Sequence, residues 1–149
     1  MSAKVRIAAP AELESINQRY RDIAFRLSEA VDVQIIAEVD GAPAGLGRIT
    51  PIAPRIGELG GIVVLPEFRG GGIARQIIVA LLATTDYDFL YCLPFGNLEG
   101  LYASFGFRRM EDGAALPAKV ADKLCWCRQS YDAPVLLMGL QLGEVRPSR

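Results

Sequence analysis

The sequence predicts an α+β fold, a central mixed and mostly antiparallel sheet splayed at a β-bulge and flanked by helices. Three observations carry this. Apolar residues alternate with period two on both sides of Asp40-Gly41, the pattern of an antiparallel hairpin closed by a tight turn. The stretch Glu58 to Leu82 reads as strand, glycine turn and helix, and the apolar run Phe89 to Leu93 after it completes a βαβ unit with parallel strands. Apolar residues spaced by three and four mark amphipathic helices near both ends of the chain. With 149 residues the chain is most simply one domain, 1–149, long enough to bury a full core.

In order, Val5 and Ile7 alternate with Lys4 and Arg6 in a short edge-type strand. Pro10 starts a helix with Leu13, Ile16, Tyr20, Ile23 and Leu27 on one side, broken near Asp22 to Phe25. From Val31 the period changes, and Val33, Ile35 and Ala37, alternating with Gln34, Ile36 and Glu38, lead into the Asp40-Gly41 turn. A return strand runs from Ala44 to Ile49 and ends at Pro51 and Pro54. Ile56 to Leu65 is a third antiparallel strand, and its Gly60-Gly61 pair signals either a bulge, which would splay it from the next strand, or a close backbone approach. Ile73, Ile77, Ile78 and Leu81 form the buried stripe of the central helix. Leu98, Leu101 and Phe105 share a helical face, which Gly106 stops as a left-handed residue. Pro117 opens a helix with Leu116, Val120, Leu124 and Cys127 on one side. Val135 to Leu140 is a last apolar strand, followed by a polar, frayed tail from Gly143 to Arg149.

Composition excludes several classes of function. Sixteen Lys and Arg against seventeen Asp and Glu give a net charge of −1 with no basic run, which argues against nucleic acid as a partner. No apolar stretch approaches the roughly 20 residues of a membrane span, and MSAKVRIAAP lacks the apolar core of a signal peptide, so the chain is placed in the cytoplasm. Three cysteines are no disulfide framework, and Cys125 and Cys127 project to different helix faces, so no metal site is expected. The chain has no histidine, which removes every Ser-His-Asp, Cys-His and H-E-x-x-H scheme. Acid–base chemistry falls to carboxylates, tyrosines, cysteines, lysines or water.

Arg69-Gly70-Gly71-Gly72 at the mouth of the central helix is either a tight connection or an anion site, because a helix's first N–H groups have no internal partner and its dipole favours negative charge. A nucleotide P-loop needs Lys followed by Ser or Thr after its last glycine, where this chain has Ile73-Ala74, and G-x-G-x-x-G is absent. What Arg69-x-x-Gly72-x-Ala74 matches is the R/Q-x-x-G-x-G/A signature of the GNAT acetyltransferase superfamily, which the chain resembles here. Ile62-Val63-Val64 and Pro66-Glu67-Phe68-Arg69 are similar to that family's preceding strand and P-E-x-R step. Leu101-Tyr102-x-x-x-Gly106-Phe107 resembles its second signature, L-Y-x-x-x-G-F. The resemblance covers about Val31 to Arg109.

The resemblance implies acetyl-CoA as cosubstrate, its pyrophosphate on Arg69, Gly70, Gly71, Gly72, Ile73 and Ala74, mostly through backbone N–H groups. Arg75 either joins them or is a solvated helix charge. The pantetheine arm would lie along Ile62, Val63 and Val64, with main-chain groups of Ile62 and Val64 bonding the arm and polarising the thioester. Tyr102 would protonate the departing thiolate as a neutral acid with an ordinary pKa near 10, and Glu58 would be the base acting through water, with Glu38 and Asp132 behind it. Asn97 stands five residues before Tyr102 rather than about seven, so it either contacts the cofactor or caps the helix.

The activity implied is transfer of an acetyl group to a primary amine of a small molecule, by direct attack in a ternary complex. The alternatives are a catalytically silent CoA-binding sensor or interaction module, and a transferase for a larger acyl group. Trp126, Tyr131, Arg21, Arg26 and Arg48 are available to shape an acceptor pocket, whose amine the sequence does not identify. An uncovered apolar strand from Val135 to Leu140 would be an edge for homodimer formation.

Overall fold

A computed structural model describes residues 3–111 and 115–143. Its strands are β1 (Lys4–Ile7), β2 (Val33–Val39), β3 (Ala42–Ala53), β4 (Ile56–Val64), β5 (Phe89–Cys92), β6 (Arg108–Arg109) and β7 (Met138–Gln141). They form one sheet in the order β1-β2-β3-β4-β5-β7-β6. The helices among the described residues are α1 (Leu13–Asp22), α2 (Ile73–Ala83), α3 (Glu99–Ala103) and α4 (Ala118–Ser130). β1–β2, β2–β3, β5–β7 and β6–β7 are antiparallel, and β4–β5 is parallel, as the βαβ reading requires. The fold class is therefore the mixed, mostly antiparallel one expected.

The chain divides into two compact units, Met1–Thr50 with Gly60–Thr85, and Pro51–Leu59 with Asp86–Arg149. In the first, α1 lays Ile16 and Tyr20 on Ile36 and Leu46, with Ala8, Phe25 and Val63 around them. α2 buries Ile73, Ile77, Ile78 and Leu81. Each such side chain is worth about 1.5–3 kcal/mol, so this stripe anchors the helix. Gly45 makes the close approach of α2 feasible, because a Cβ there would stand 2.9 Å from Ile77 Cδ1 and 2.8 Å from the Val63 carbonyl. In the second unit, α4 contributes Val120, Leu124 and Cys127 to a core with Tyr91, Val135 and Leu137, and Phe89 and Phe95 pack against it.

Several expectations are corrected. The break expected near Asp22 to Phe25 is present, since α1 ends at Asp22, Ala24 adopts a left-handed φ of 58° and Phe25 N donates to Tyr20 O, but Leu27 beyond it is not helical and is exposed. β3 continues through Pro51 to Ala53; a strand admits proline wherever no ladder bond needs its missing N–H. β6 has no counterpart in the sequence reading, since two charged residues carry no periodicity. β7 is paired with β5 on one side and β6 on the other, so it is no open edge and the reason for a homodimer through it falls away. The frayed tail expected from Gly143 to Arg149 lies, beyond Gly143, outside the described residues.

Candidate functional site

The parallel β4–β5 register runs from Ile56–Phe89 to Leu59–Cys92. Two residues later Gly61 takes a left-handed φ of 61°, and a Cβ there would lie 2.7 Å from Tyr20 Oη, the close backbone approach that a glycine pair in a strand signals. Beyond it, Leu65 N donates to Ala44 O at 2.8 Å, toward β3. Strand alternation then aims the N–H groups of Val64 and Ile62 at the opposite edge. The Val64 carbonyl on that edge accepts from Arg69 Nε at 3.0 Å. Ile62, Val63 and Val64 are half-buried, and the Val63 side chain packs against the α1 core.

A 3-10 turn at Pro66–Phe68 leads into the exposed run Arg69 to Gly72. Gly70 and Gly72 have φ of 86° and 79°, and a Cβ on either would meet no atom within 4 Å. The backbone bonds here are Phe68 N to Leu65 O, Arg69 N to Pro66 O and Gln76 N to Gly72 O. Among the described residues, no backbone acceptor takes the N–H groups of Gly70, Gly71, Gly72, Ile73 or Ala74. The result is an open cradle of donors at the positive end of an eleven-residue helix. An anion with several oxygens, such as a pyrophosphate, fits it.

The second unit brings together Glu58, Lys123, Cys92 and Tyr102. Tyr102 is buried on α3, its ring edge-on to Phe107 at 5.8 Å, and its hydroxyl hydrogen-bonds Cys92. Burial, then the neighbouring Cys92, push the phenol well above its ordinary pKa, which corrects the expectation of a value near 10. Burial, followed by the Glu58 charge, also raises the Cys92 thiol. Glu58 is 3 % exposed, and its carboxylate accepts from Lys123 Nζ of α4. Asn97 lies in a 3-10 turn and is exposed; neither that turn nor α3 has a side-chain cap, so it does not cap the helix. Glu38 pairs with Arg6 at 3.1 Å, and Asp132 is exposed.

Lys123 is the functional candidate that sequence reasoning missed. It lies 65 positions from Glu58, and no local pattern links the two. Arg48, assigned to an acceptor pocket, is instead buried, donating to Arg26 O at 2.8 Å and Ser28 Oγ at 2.9 Å. An apolar crevice of about 90 Å³ does open in the first unit, between Tyr20, Ile23, Pro43, Leu46, Val63 and Leu65, with Arg19 and Asp22 beside it.

Residues 32–109, just over half of the chain, match the family model for the acetyltransferase (GNAT) domain. The chain belongs to the GNAT acetyltransferase family. Solved structures support the GNAT fold over nearly the whole chain. A Mycobacterium tuberculosis protein solved in complex with CoA is 21% identical, with a TM-score of 0.72 over 93% of this chain and 99% of that one. A GNAT superfamily phosphinothricin acetyltransferase from Sinorhizobium meliloti, in complex with AcCoA, is 19% identical, with a TM-score of 0.71 over 99% and 94%. N-acetylglutamate synthase from Neisseria gonorrhoeae, complexed with coenzyme A and N-acetyl-glutamate, is 16% identical, with a TM-score of 0.71 over 97% of this chain and 36% of that one. No curated protein sequence matches this GNAT chain. Among its described residues no helix is long and apolar enough to cross a membrane.

Proposed function

We propose that this GNAT chain is a single-domain cytoplasmic acetyl-CoA-dependent N-acetyltransferase, acting on a primary amine of a small molecule by direct attack in a ternary complex. The observation that carries the reading is the exposed turn at Gly70 to Gly72 at the mouth of α2, whose N–H groups have no backbone acceptor among the described residues. Arg69, Gly70, Gly71, Gly72, Ile73 and Ala74 hold the pyrophosphate. The two solved relatives bound to CoA or AcCoA over nearly their whole length support that ligand.

A thioester carries its own leaving group, so the protein must align the reactants, take a proton from the amine and return one to the thiolate. Ile62, Val63 and Val64 form the strand along which the pantetheine arm lies, with main-chain groups of Ile62 and Val64 as the donors and acceptors. Tyr102 is the acid, kept neutral at all ordinary pH by its burial. Glu58 is the base, and Asn97 is a cofactor contact. The crevice between Tyr20, Ile23, Leu46 and Val63 suits the apolar part of a small acceptor.

One observation favours a second reading, a CoA-binding module without turnover: the Tyr102 hydroxyl is engaged by Cys92, and the Glu58 carboxylate by Lys123. Thiol release from acetyl-CoA across a panel of small primary amines separates the two. Release that depends on one class of amine supports the transferase. Saturable acetyl-CoA binding with no release from any amine supports the module.

A further inference from the structure

Beneath Gly61 of β4 lies a buried polar network built around Tyr20; the Tyr20 side chain also borders the acceptor crevice, but none of the roles above uses the network's hydrogen bonds. Tyr20 is fully buried, and its hydroxyl donates to the Gly61 carbonyl at 2.8 Å while accepting from Gln34 Nε2 at 3.3 Å. The Arg48 guanidinium stacks over the Tyr20 ring at 4.6 Å, and Arg48 Nη1 donates to Ser28 Oγ, which donates to Gln34 Oε1 at 2.6 Å. Asn17 locks Ser28 from the other side, accepting from Ser28 N at 2.7 Å and donating to Ser28 O at 3.0 Å. Gln34 Nε2 also donates to Gly47 O at 2.9 Å. Asn17, Ser28, Gln34 and Arg48 are all buried.

Such a network is costly unless every member is satisfied, and among the described residues its hydrogen bond to β4 goes to Gly61. A Cβ at Gly61 would lie 2.7 Å from Tyr20 Oη and 3.1 Å from Arg48 Nε, so the backbone presses directly on these groups. The Gly61–Ile62 peptide is trans and planar, which makes the Gly61 carbonyl and the Ile62 N–H point in opposite directions. Holding the carbonyl inward on Tyr20 therefore fixes the Ile62 N–H outward, toward the edge of β4 that faces away from β3. A donor aimed before the reaction is worth more than one that must reorient during it.

We infer that Tyr20, set by Arg48 and Gln34, is a positioning residue that aims the Ile62 N–H at the thioester carbonyl oxygen of the bound acyl donor. This rests on the acetyl-CoA reading, and the experiment keeps the two apart. Amide resonances of the 15N-labelled protein are followed during titration with CoA and, separately, with acetyl-CoA, which differ only in the acetyl group. The cofactor reading expects both ligands to move Gly70 to Gly72. The inference expects an additional Ile62 shift with acetyl-CoA alone, and its loss in Tyr20→Phe while the turn shifts persist.

Turn resonances that ignore both ligands overturn the cofactor reading and this inference with it. Turn resonances that move while Ile62 shows no acetyl-specific shift overturn the inference alone, as does an acetyl-specific shift that survives in Tyr20→Phe. Should that variant fail to fold, Gln34→Met, which removes the donor to the Tyr20 hydroxyl, is measured in its place, and an unchanged acetyl-specific shift there overturns the inference equally.

Discussion

Replacing Lys123 by Met is expected to destabilise the protein far more than loss of an ordinary surface ion pair. The side chains of Lys123 and Glu58 are 16% and 4% exposed. An exposed pair contributes about 0.2–1 kcal/mol, because water screens it and holding two long side chains costs entropy. Here the Glu58 carboxylate sits beside the buried Cys92, and its partner in the described structure is Lys123. Removing one member of a buried pair leaves an uncompensated charge, at a cost of about 3–5 kcal/mol. At roughly 2–4 °C per kcal/mol for a chain of this size, the midpoint of thermal unfolding falls by about 6–20 °C. Urea titration measures the same quantity, with an unchanged m-value showing that the unfolded state is not the cause. Glu58→Leu with Lys123→Met removes both charges and is expected to recover most of the loss. A cost under about 1 kcal/mol for Lys123→Met alone would refute the reasoning, since it would mean that solvent reaches the carboxylate.

Gly72→Val forces a β-branched residue into a φ of 79°, costing about 1–2 kcal/mol of stability, and hangs a side chain over the donor cradle. Acetyl-CoA affinity is expected to fall at least about tenfold by calorimetry, about 1.4 kcal/mol; unchanged affinity would count against the cradle. Tyr102→Phe is expected to lower thiol release by about 10²–10⁴, the range for a general acid, with CoA affinity nearly unchanged; an unaltered rate would remove Tyr102 from the chemistry. Arg6, bonded at 2.8 Å, depresses the Glu12 carboxyl to about 2, so its contribution is full above the unfolded value near 4.5 and is lost as pH falls toward 2. NMR titration of that carboxyl checks the value, and Glu12→Gln is expected to flatten this part of the acid limb of the stability curve.

Local features were legible in the sequence. The strand, glycine turn and helix from Glu58 to Leu82 follow from residues adjacent in the chain, and Gly61, Gly70, Gly72 and Gly106 do take the left-handed backbone that only glycine adopts cheaply. Pairings between distant residues were not legible. Glu58 and Lys123 meet across 65 positions, and β7 is interior because two-residue β6, invisible to periodicity, covers its outer edge. Tyr20 read as one more apolar residue of a helix and Arg48 as a cation available to an acceptor pocket. A usable signal did exist, because Gln34 and Arg48 are cross-strand partners of the hairpin, a polar pair in line with Ile36 and Leu46 on the face that α1 covers. Such a pair needs polar partners, and Asn17, Tyr20 and Ser28 supply them. Tyr102 shows the reverse: its motif was plain, but its burial against Cys92 depends on where β5 ends, which the motif does not encode.

Titration calorimetry of the wild-type protein with acetyl-CoA is the most direct measurement. Saturable one-to-one binding, weakened in Gly72→Val, is expected if backbone amides at Gly70 to Ala74 grip the diphosphate. Absence of heat at millimolar acetyl-CoA and at two temperatures, or binding that Gly72→Val leaves intact, would contradict it.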